Sequence, residues 1–114
     1  IKFKSDTLRY FEESGEYAVL VLNEKLIGTE HRMIIIDDVG NTLINTNIDC
    51  DVQDLSIKGK NLVILGSQSL ISVNCKIGEI KTHNTDKSYD KVYALSGEKA
   101  LLTYKNKAYV VSIQ

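Results

Sequence analysis

The feature that most constrains the fold is a unit of short strand segments that occurs three times along the chain. Each copy reads as a short strand, a glycine turn, an apolar strand, a connection and a second apolar strand; the copies cover residues 10–44, 55–80 and 92–114. The first two copies continue into a glycine turn and a more polar fourth strand. A glycine follows the first strand of each copy, at spacings of 44 and 38 residues: Gly15, Gly59 and Gly97. Such a period indicates a stacked-repeat architecture, and glycine supplies the positive φ that tight hairpins require.

The repeat predicts twelve short strands and no helix. The opening segment IKFKSD resembles the polar fourth strands, so it counts as the first strand. The predicted strands are 1–5, 8–12, 16–22, 32–37, 42–47, 52–57, 61–66, 69–74, 79–83, 91–95, 99–104 and 107–113. Six extra residues of the first copy fall in its central connection, 23–32. Inserted loops make few core contacts, so we expect this connection to be the most mobile or most variable internal segment.

The middle strands of each copy do not alternate between apolar and polar residues. The segments YAVLVL, MIII, LVIL and YVVSI are apolar on both faces, whereas the fourth strands NTLINTNID and EIKTHNTD are much more polar. A strand with one wet face alternates, so both faces of the middle strands are expected to be covered. Stacked blades of a β-propeller produce this gradient. We predict one all-β repeat domain, a partial β-propeller of about three four-stranded antiparallel blades at roughly 1–47, 48–86 and 87–114. A β-trefoil, which also has three repeats and twelve strands, is the alternative, and a β-sandwich is a further one.

Charge and hydropathy narrow the classes of partner. The net charge is −1 with both signs interspersed, so nothing in the sequence indicates the basic face that nucleic-acid binding usually needs, and we expect no nucleic-acid partner. Twelve lysines against two arginines leave few side chains suited to bidentate clamps. No apolar run approaches the roughly 20 residues of a membrane span. The sequence begins at Ile1 without methionine, so we expect a piece of a longer protein, with any signal or membrane anchor upstream of Ile1.

Two turns carry a resemblance to a known family. The segments IIIDDVGNTLI and LISVNCKIGEIK, which begin at Ile34 and Leu70, resemble the turn between the third and fourth strands of bacterial quinoprotein-like and YVTN-like propeller blades. The tryptophan that usually follows this turn is absent, so Ile44 and Ile80, or their neighbours, are expected to pack blade against blade. Similar tryptophan-free blades occur in uncharacterised membrane-anchored proteins of low-GC Gram-positive bacteria. The resemblance implies an extracytoplasmic protein and carries over no catalytic residue.

Acidic residues cluster in two places, and both are interpreted as structural. Asp49, Asp51 and Asp54 place three carboxylates in six residues, but a calcium loop starting at Asp49 would need glycine at 54 and glutamate at 60. We interpret this segment as a solvated connection between a fourth strand and the next first strand. Asp37 and Asp38 precede Gly40 in a turn, where aspartate usually bonds the backbone two residues on.

Histidine and cysteine form no recognisable metal or catalytic motif. His31 and His83 have no second ligand at metal-binding spacing and are expected to face solvent. Cys50 lacks the histidine pattern of a thiol nucleophile. Cys50 and Cys75 are expected at opposite ends of the strands, beyond the roughly 7 Å between Cα atoms that a disulfide tolerates, so both should be free thiols. The tyrosines are expected mainly in the core and between blades: Tyr10, Tyr17, Tyr89, Tyr93, Tyr104 and Tyr109.

These observations favour a non-enzymatic propeller portion that acts as a scaffold or recognition surface, with no cofactor, no metal site and no catalytic residue. The alternatives are part of a quinoprotein-like oxidoreductase whose site lies in further blades, or a trefoil that binds glycans. Three blades do not close a ring, so we expect further blades or a homo-oligomer, most simply a dimer that forms a six-bladed ring. The apolar faces it would cover are expected to include Val19, Val21, Leu101 and Val110.

Overall fold

The computed structural model describes residues 7–23 and 30–113, which form eleven β-strands. In chain order they are β1 (Thr7–Glu13), β2 (Tyr17–Asn23), β3 (Glu30–Asp37), β4 (Thr42–Asp49), β5 (Asp54–Lys58), β6 (Asn61–Leu65), β7 (Ser69–Asn74), β8 (Glu79–Asn84), β9 (Lys91–Ala94), β10 (Lys99–Tyr104) and β11 (Lys107–Ser112). The described residues include no helix that is long and apolar enough to cross a membrane.

The strands form three antiparallel sheets, in which each strand pairs with its neighbour in sequence. Sheet A contains β1 to β4, sheet B contains β5 to β8, and sheet C contains β9 to β11. The all-β prediction is therefore confirmed, and the eleven observed strands match the predicted ones from 8–12 onward; the predicted strand 1–5 lies outside the described residues. A β-trefoil would join strands of different repeats in one barrel. Each described sheet instead consists of consecutive strands from a single repeat.

Sheet B lies between the other two sheets, and its strand β6 is buried on both faces. Leu62 and Ile64 belong to a core shared with sheet A, while Val63 and Leu65 belong to a second core shared with sheet C. All four side chains are 0% exposed. Full burial of such a side chain is worth roughly 1.5–3 kcal/mol. The unbroken apolar run thus reflects a strand covered on both faces, as predicted.

Burial falls from the middle strands to the last strand of sheets A and B. Most residues of β4 and β8 are exposed, in contrast to β6. Ile44 on β4 is half-buried and packs against the core between sheets A and B, as expected. Ile80 on β8 remains 43% exposed at the rim, so it makes little of the inter-sheet contact assigned to it.

The first strands of the three sheets lie side by side, with β5 next to both β1 and β9. Side chains bridge them. The Tyr10 hydroxyl donates to the Val52 carbonyl oxygen at 3.0 Å. The Val92 N–H donates to Asp54 Oδ2 at 3.0 Å. These bonds run from side chain to backbone, so they align neighbouring sheets without extending either hydrogen-bond ladder.

Four turn glycines adopt the expected left-handed conformation, but the third copy differs. Gly15 and Gly40 both have φ of 93°, as tight strand connections require. Gly97 does not adopt a positive φ, which corrects the expectation for that turn; the connection from β9 to β10 spans residues 95–98 and is longer. The positive φ in sheet C falls on a non-glycine residue, Lys105, at 54°.

Two expectations about the ends of the stack need correction. Val19 and Val21 are 0% exposed in the core between sheets A and B, because alternation along β2 directs them inward rather than to the outer face. The outer face of sheet A instead exposes 52% of Phe11. Leu101 is half-buried and Val110 is 60% exposed on the outer face of sheet C, as expected.

The connection between β2 and β3 is shorter than the predicted insertion, 23–32. Asn23 ends β2, and the residues from Glu30 onward already belong to β3. The intervening residues 24–29 lie outside the described part of the chain, so the expectation about that connection stays a prediction.

Candidate binding surface

The connection between β8 and β9, residues 85–90, is anchored to sheets B and C. The Thr85 N–H donates to the Gln68 carbonyl at 3.0 Å, in the turn that follows β6. The Asp90 N–H donates to the Thr103 carbonyl of β10 at 2.7 Å. This double attachment places the side chains of the connection at the seam between the two sheets.

A cluster of tyrosines and lysines lies at this seam. Tyr89 is 7% exposed, and its ring meets the rings of Tyr104 and Tyr109 edge to face, with centroids 6.2 and 5.9 Å away. Such edge-to-face pairs are favourable beyond the area they bury. The Lys87 ammonium lies 4.9 Å from the Tyr104 centroid and 5.6 Å from the Tyr109 centroid, and that of Lys105 lies 5.4 Å from Tyr104, all within cation–π range. We define the lysine–tyrosine cluster as these residues and the adjacent Lys107: Lys87, Tyr89, Tyr104, Lys105, Lys107 and Tyr109.

Tyr89 is held by a short hydrogen bond inside its own connection. Its hydroxyl donates to Asp86 Oδ1 at 2.6 Å. This bond, together with burial, raises the pKa of Tyr89 to about 12, and the same bond is the main reason that the pKa of Asp86 is lowered. Tyr89 therefore stays neutral at physiological pH, and its buried ring forms a wall of the seam.

The cationic side of the cluster is formed by the turn between β10 and β11. The Lys105 N–H donates to Asp90 Oδ2 at 2.7 Å, which ties this turn to the start of β9. Lys87 Nζ lies 3.9 Å from Asp86 Oδ2. Among the described residues, no carboxylate lies within ion-pair distance of Lys105 or Lys107. Two of the three ammonium groups therefore form no ion pair within the described part of the chain.

Two concavities adjoin this seam. A groove of about 440 Å³ is lined by Lys87, Tyr104, Lys105, Asn106, Lys107 and Tyr109. A cleft of about 240 Å³ lies between the last strands of sheets B and C, β8 and β11. Its lining includes His83, Tyr89 and Val111. Ligand pockets usually measure about 300–1,000 Å³, so the lysine-lined groove is the better size for a ligand and carries the stronger recognition groups.

The clustered aspartates are more structural than the sequence suggests. Asp51 Oδ1 accepts hydrogen bonds from the N–H and the hydroxyl of Ser67, at 3.0 and 3.1 Å. Asp54 accepts from the backbone of β9, as described above, while Asp49 at the end of β4 is exposed. The described residues contain no group of three or more histidine, cysteine or acidic side chains placed to hold a metal ion. The interpretation as a merely solvated connection is thus wrong for Asp51 and Asp54, which fasten sheets and turns together.

Asp37 performs the predicted turn chemistry. Its Oδ1 accepts from the N–H groups of Val39 at 3.1 Å and Asn41 at 2.8 Å. The Asn41 N–H is the main reason that the pKa of Asp37 is lowered. Asp38 is exposed beside it. In the second copy Asn74 occupies the equivalent position, and its Oδ1 accepts a hydrogen bond from the backbone N–H of Lys76 at 3.0 Å.

The two histidines do not both face solvent. His31 is 7% exposed, and its Nδ1 lies 3.0 Å from the Cys50 carbonyl oxygen, which contradicts the expectation of a surface residue. Its position on β3 directs it toward the core, where Nδ1 meets the Cys50 backbone carbonyl. His83 is half-buried on β8, and within the described residues its buried Nε2 has no hydrogen-bond partner.

Both cysteines are free thiols, as predicted, and both are buried. Cys50 approaches Ser69, at the start of β7, with 3.8 Å between Sγ and Oγ, whereas Cys75 follows the end of the same strand. Burial raises the pKa of the Cys50 thiol and raises that of Cys75 to about 11. Since the thiolate is the nucleophile, neither residue is suited to nucleophilic chemistry at neutral pH.

The lysine–tyrosine cluster was not predicted from the sequence, although a signal for it exists. Lysine and tyrosine interleave in YKNKAY, residues 104–109, and again in KSY, residues 87–89. The even mixture of charges over the whole chain concealed this local excess of lysine, because the two segments meet only when β9, β10 and β11 pair.

Asp51 provides a pH-dependent prediction. Its pKa is lowered mainly by the Ser67 N–H, so its carboxylate stabilises the fold above the unfolded pKa of about 3.9, and that contribution is lost as pH falls through the lower folded value. We expect Asp51→Asn to reduce the free energy of unfolding by about 1 kcal/mol at pH 7 and by much less at pH 2, as measured by urea denaturation. Asp38→Asn, at an exposed turn, should change it little. A deficit for Asp51→Asn that is equal at the two pH values would contradict the assignment.

Comparison with known proteins adds no relative: no protein-family model matches the chain, and no curated protein matches it significantly.

Proposed function

We propose that this chain is a portion of a β-propeller that acts as a non-enzymatic scaffold with a recognition surface on its rim. The observation that carries the propeller proposal is the burial of β6 on both faces between sheets A and C. Stacked blades require this arrangement, and the side-by-side first strands β1, β5 and β9 are what a common axis would produce. The lysine–tyrosine cluster supports a recognition role because it places charged and aromatic groups in one groove.

Ring completion would require more blades, from further chain or from another copy. The outer face of sheet C carries the cross-strand row Tyr93, Leu101 and Val110, of which Tyr93 is 46% and Val110 is 60% exposed. Contiguous apolar patches are uncommon on soluble monomers. We propose that a second copy covers this face, most simply in a dimer that forms a six-bladed ring.

The oligomeric state tests this proposal. We expect light scattering on the 114-residue chain at micromolar concentration to give twice the mass of one chain. A stable monomer under these conditions would count against ring completion by a second copy.

A pair of valine variants makes the test specific to the proposed face. Val110→Asp places a charge on the outer face of sheet C and should convert the dimer to monomer, whereas Val39→Asp alters a valine that is 76% exposed in the turn after β3 and should leave the dimer intact. Dissociation by both variants, or by neither, would argue that another surface joins the copies.

A further inference from the structure

Two ammonium groups converge on one tyrosine ring in the lysine–tyrosine cluster. Lys87 Nζ and Lys105 Nζ lie 4.9 and 5.4 Å from the Tyr104 centroid, so they lie within about 10 Å of each other, and Lys107 lines the same groove. Like charges at such separation repel each other. The ring face offsets part of this repulsion, and an anion in the groove would remove the remainder.

The backbone at Lys105 is held in an unfavourable conformation. Its φ of 54° lies in the left-handed region, which glycine and asparagine adopt much more readily than lysine. Residues in such conformations cluster at functional sites. A lysine at this position has a stability cost that asparagine would reduce, which indicates that its ammonium group has a role beyond the turn.

The nearby carboxylates leave the groove positively charged. Asp86 lies 3.9 Å from Lys87 Nζ but also accepts the Tyr89 hydroxyl, and Asp90 accepts the backbone N–H of Lys105. Both carboxylates therefore already serve to hold the connection and the turn in place. Among the described residues, Lys105 and Lys107 have no carboxylate partner within ion-pair distance.

We propose that the groove of the lysine–tyrosine cluster binds a phosphate group, with the ammonium groups of Lys87, Lys105 and Lys107 as its ligands. A phosphate carries about 1.5–2 negative charges at pH 7 and several acceptor oxygens, which suits several converging ammonium groups better than a single carboxylate does. Lysine binds phosphate as a point charge without the fixed fork of arginine. The inference deepens the proposed recognition role and rests on it, but it does not depend on ring closure.

The test is a titration of the 114-residue chain with inorganic phosphate, phosphoserine, tripolyphosphate and acetate at constant ionic strength, followed by two-dimensional NMR of the backbone amides. We expect saturable shifts at residues 87 and 104–109 with the phosphate compounds, and at least tenfold weaker binding of acetate, which carries a single carboxylate. Tightest binding of tripolyphosphate would indicate a polymeric source of the phosphate, and tightest binding of phosphoserine a monoester. Equal binding of acetate, or no saturable shift with any phosphate compound, would overturn the proposal.

Matched variants separate the site from general charge. Lys105→Asn should weaken phosphate binding at least tenfold while it raises the melting temperature, because asparagine tolerates the positive φ better. Lys99→Ala removes an exposed lysine at the opposite end of β10 and should leave binding unchanged. Equal weakening by the two variants would show a non-specific charge effect and would contradict the site. Phosphate binding by a monomeric chain would leave this site intact while counting against the ring.

Discussion

Replacing Ile64 with aspartate is expected to destabilise the fold by roughly 3–5 kcal/mol, a large part of the 5–15 kcal/mol that holds a typical domain together. Ile64 is 0% exposed in the core between sheets A and B. An aspartate there would be either ionised without a partner or forced to take up a proton, and both states cost free energy. Urea denaturation followed by circular dichroism measures the loss directly.

Thr82→Asp is the matched control for this variant. Ile64 pairs with Ile71 and Ile71 pairs with Thr82, so the two substituted positions lie in one cross-strand row on one face of sheet B. Thr82 is exposed on the last strand, β8, and aspartate there should change the free energy of unfolding by less than about 0.5 kcal/mol. Similar losses for the two variants would contradict the fall in burial from β6 to β8.

The second large effect is expected at Gly66, which follows β6. A Cβ atom at this position would lie 2.7 Å from Cys50 Sγ, 2.7 Å from Ser69 Oγ and 3.2 Å from Asp51 Oδ1. The Ser69 hydroxyl can rotate away, but the Cys50 sulfur is buried and cannot. We expect Gly66→Ala to cost roughly 1–3 kcal/mol through overpacking, measured as a shift of the urea midpoint.

A double variant identifies the clash. Cys50→Ala removes the sulfur, so the combined Cys50→Ala and Gly66→Ala protein should be less destabilised than the sum of the single effects. Gly97→Ala is the control, since the nearest atom to its added Cβ would be Asn61 Oδ1 at 3.2 Å, on a side chain that can move. Strict additivity of the two single effects would indicate that the cost at Gly66 arises from the backbone.

The fold could be predicted from the sequence to a considerable extent because its main determinants are local. Strand length, glycine turns and the loss of alternation in LVIL each depend on a few neighbouring residues, and they led to the observed strands and to the burial of β6 on both faces. The predictions that were wrong concern which face of a strand packs against another sheet. Val19, Val21 and His31 were assigned to outward positions, and a one-residue difference in register decides between the two faces.

The candidate site was less predictable, for a related reason. Lys87 and Lys105 are far apart in sequence and meet only because the connection after β8 is anchored to the turn after β10 through Asp90. The overall composition does not reveal which lysines come together in the folded chain. The role of Asp51 was hidden similarly, because its partner Ser67 belongs to a different turn.

The hydrogen bonds from β9 to the side chains of β5 affect how this protein behaves at high concentration. A bare strand edge is a template on which other chains add and aggregate. Here the outward amide groups of Val92 and Ala94 already donate to Asp54 Oδ2 and Ser56 Oγ, at 3.0 and 2.9 Å. An incoming strand would have to displace both acceptors before it could pair with β9. The short polar side chains of β5 are thus expected to hinder amyloid-like extension of the neighbouring sheet along β9.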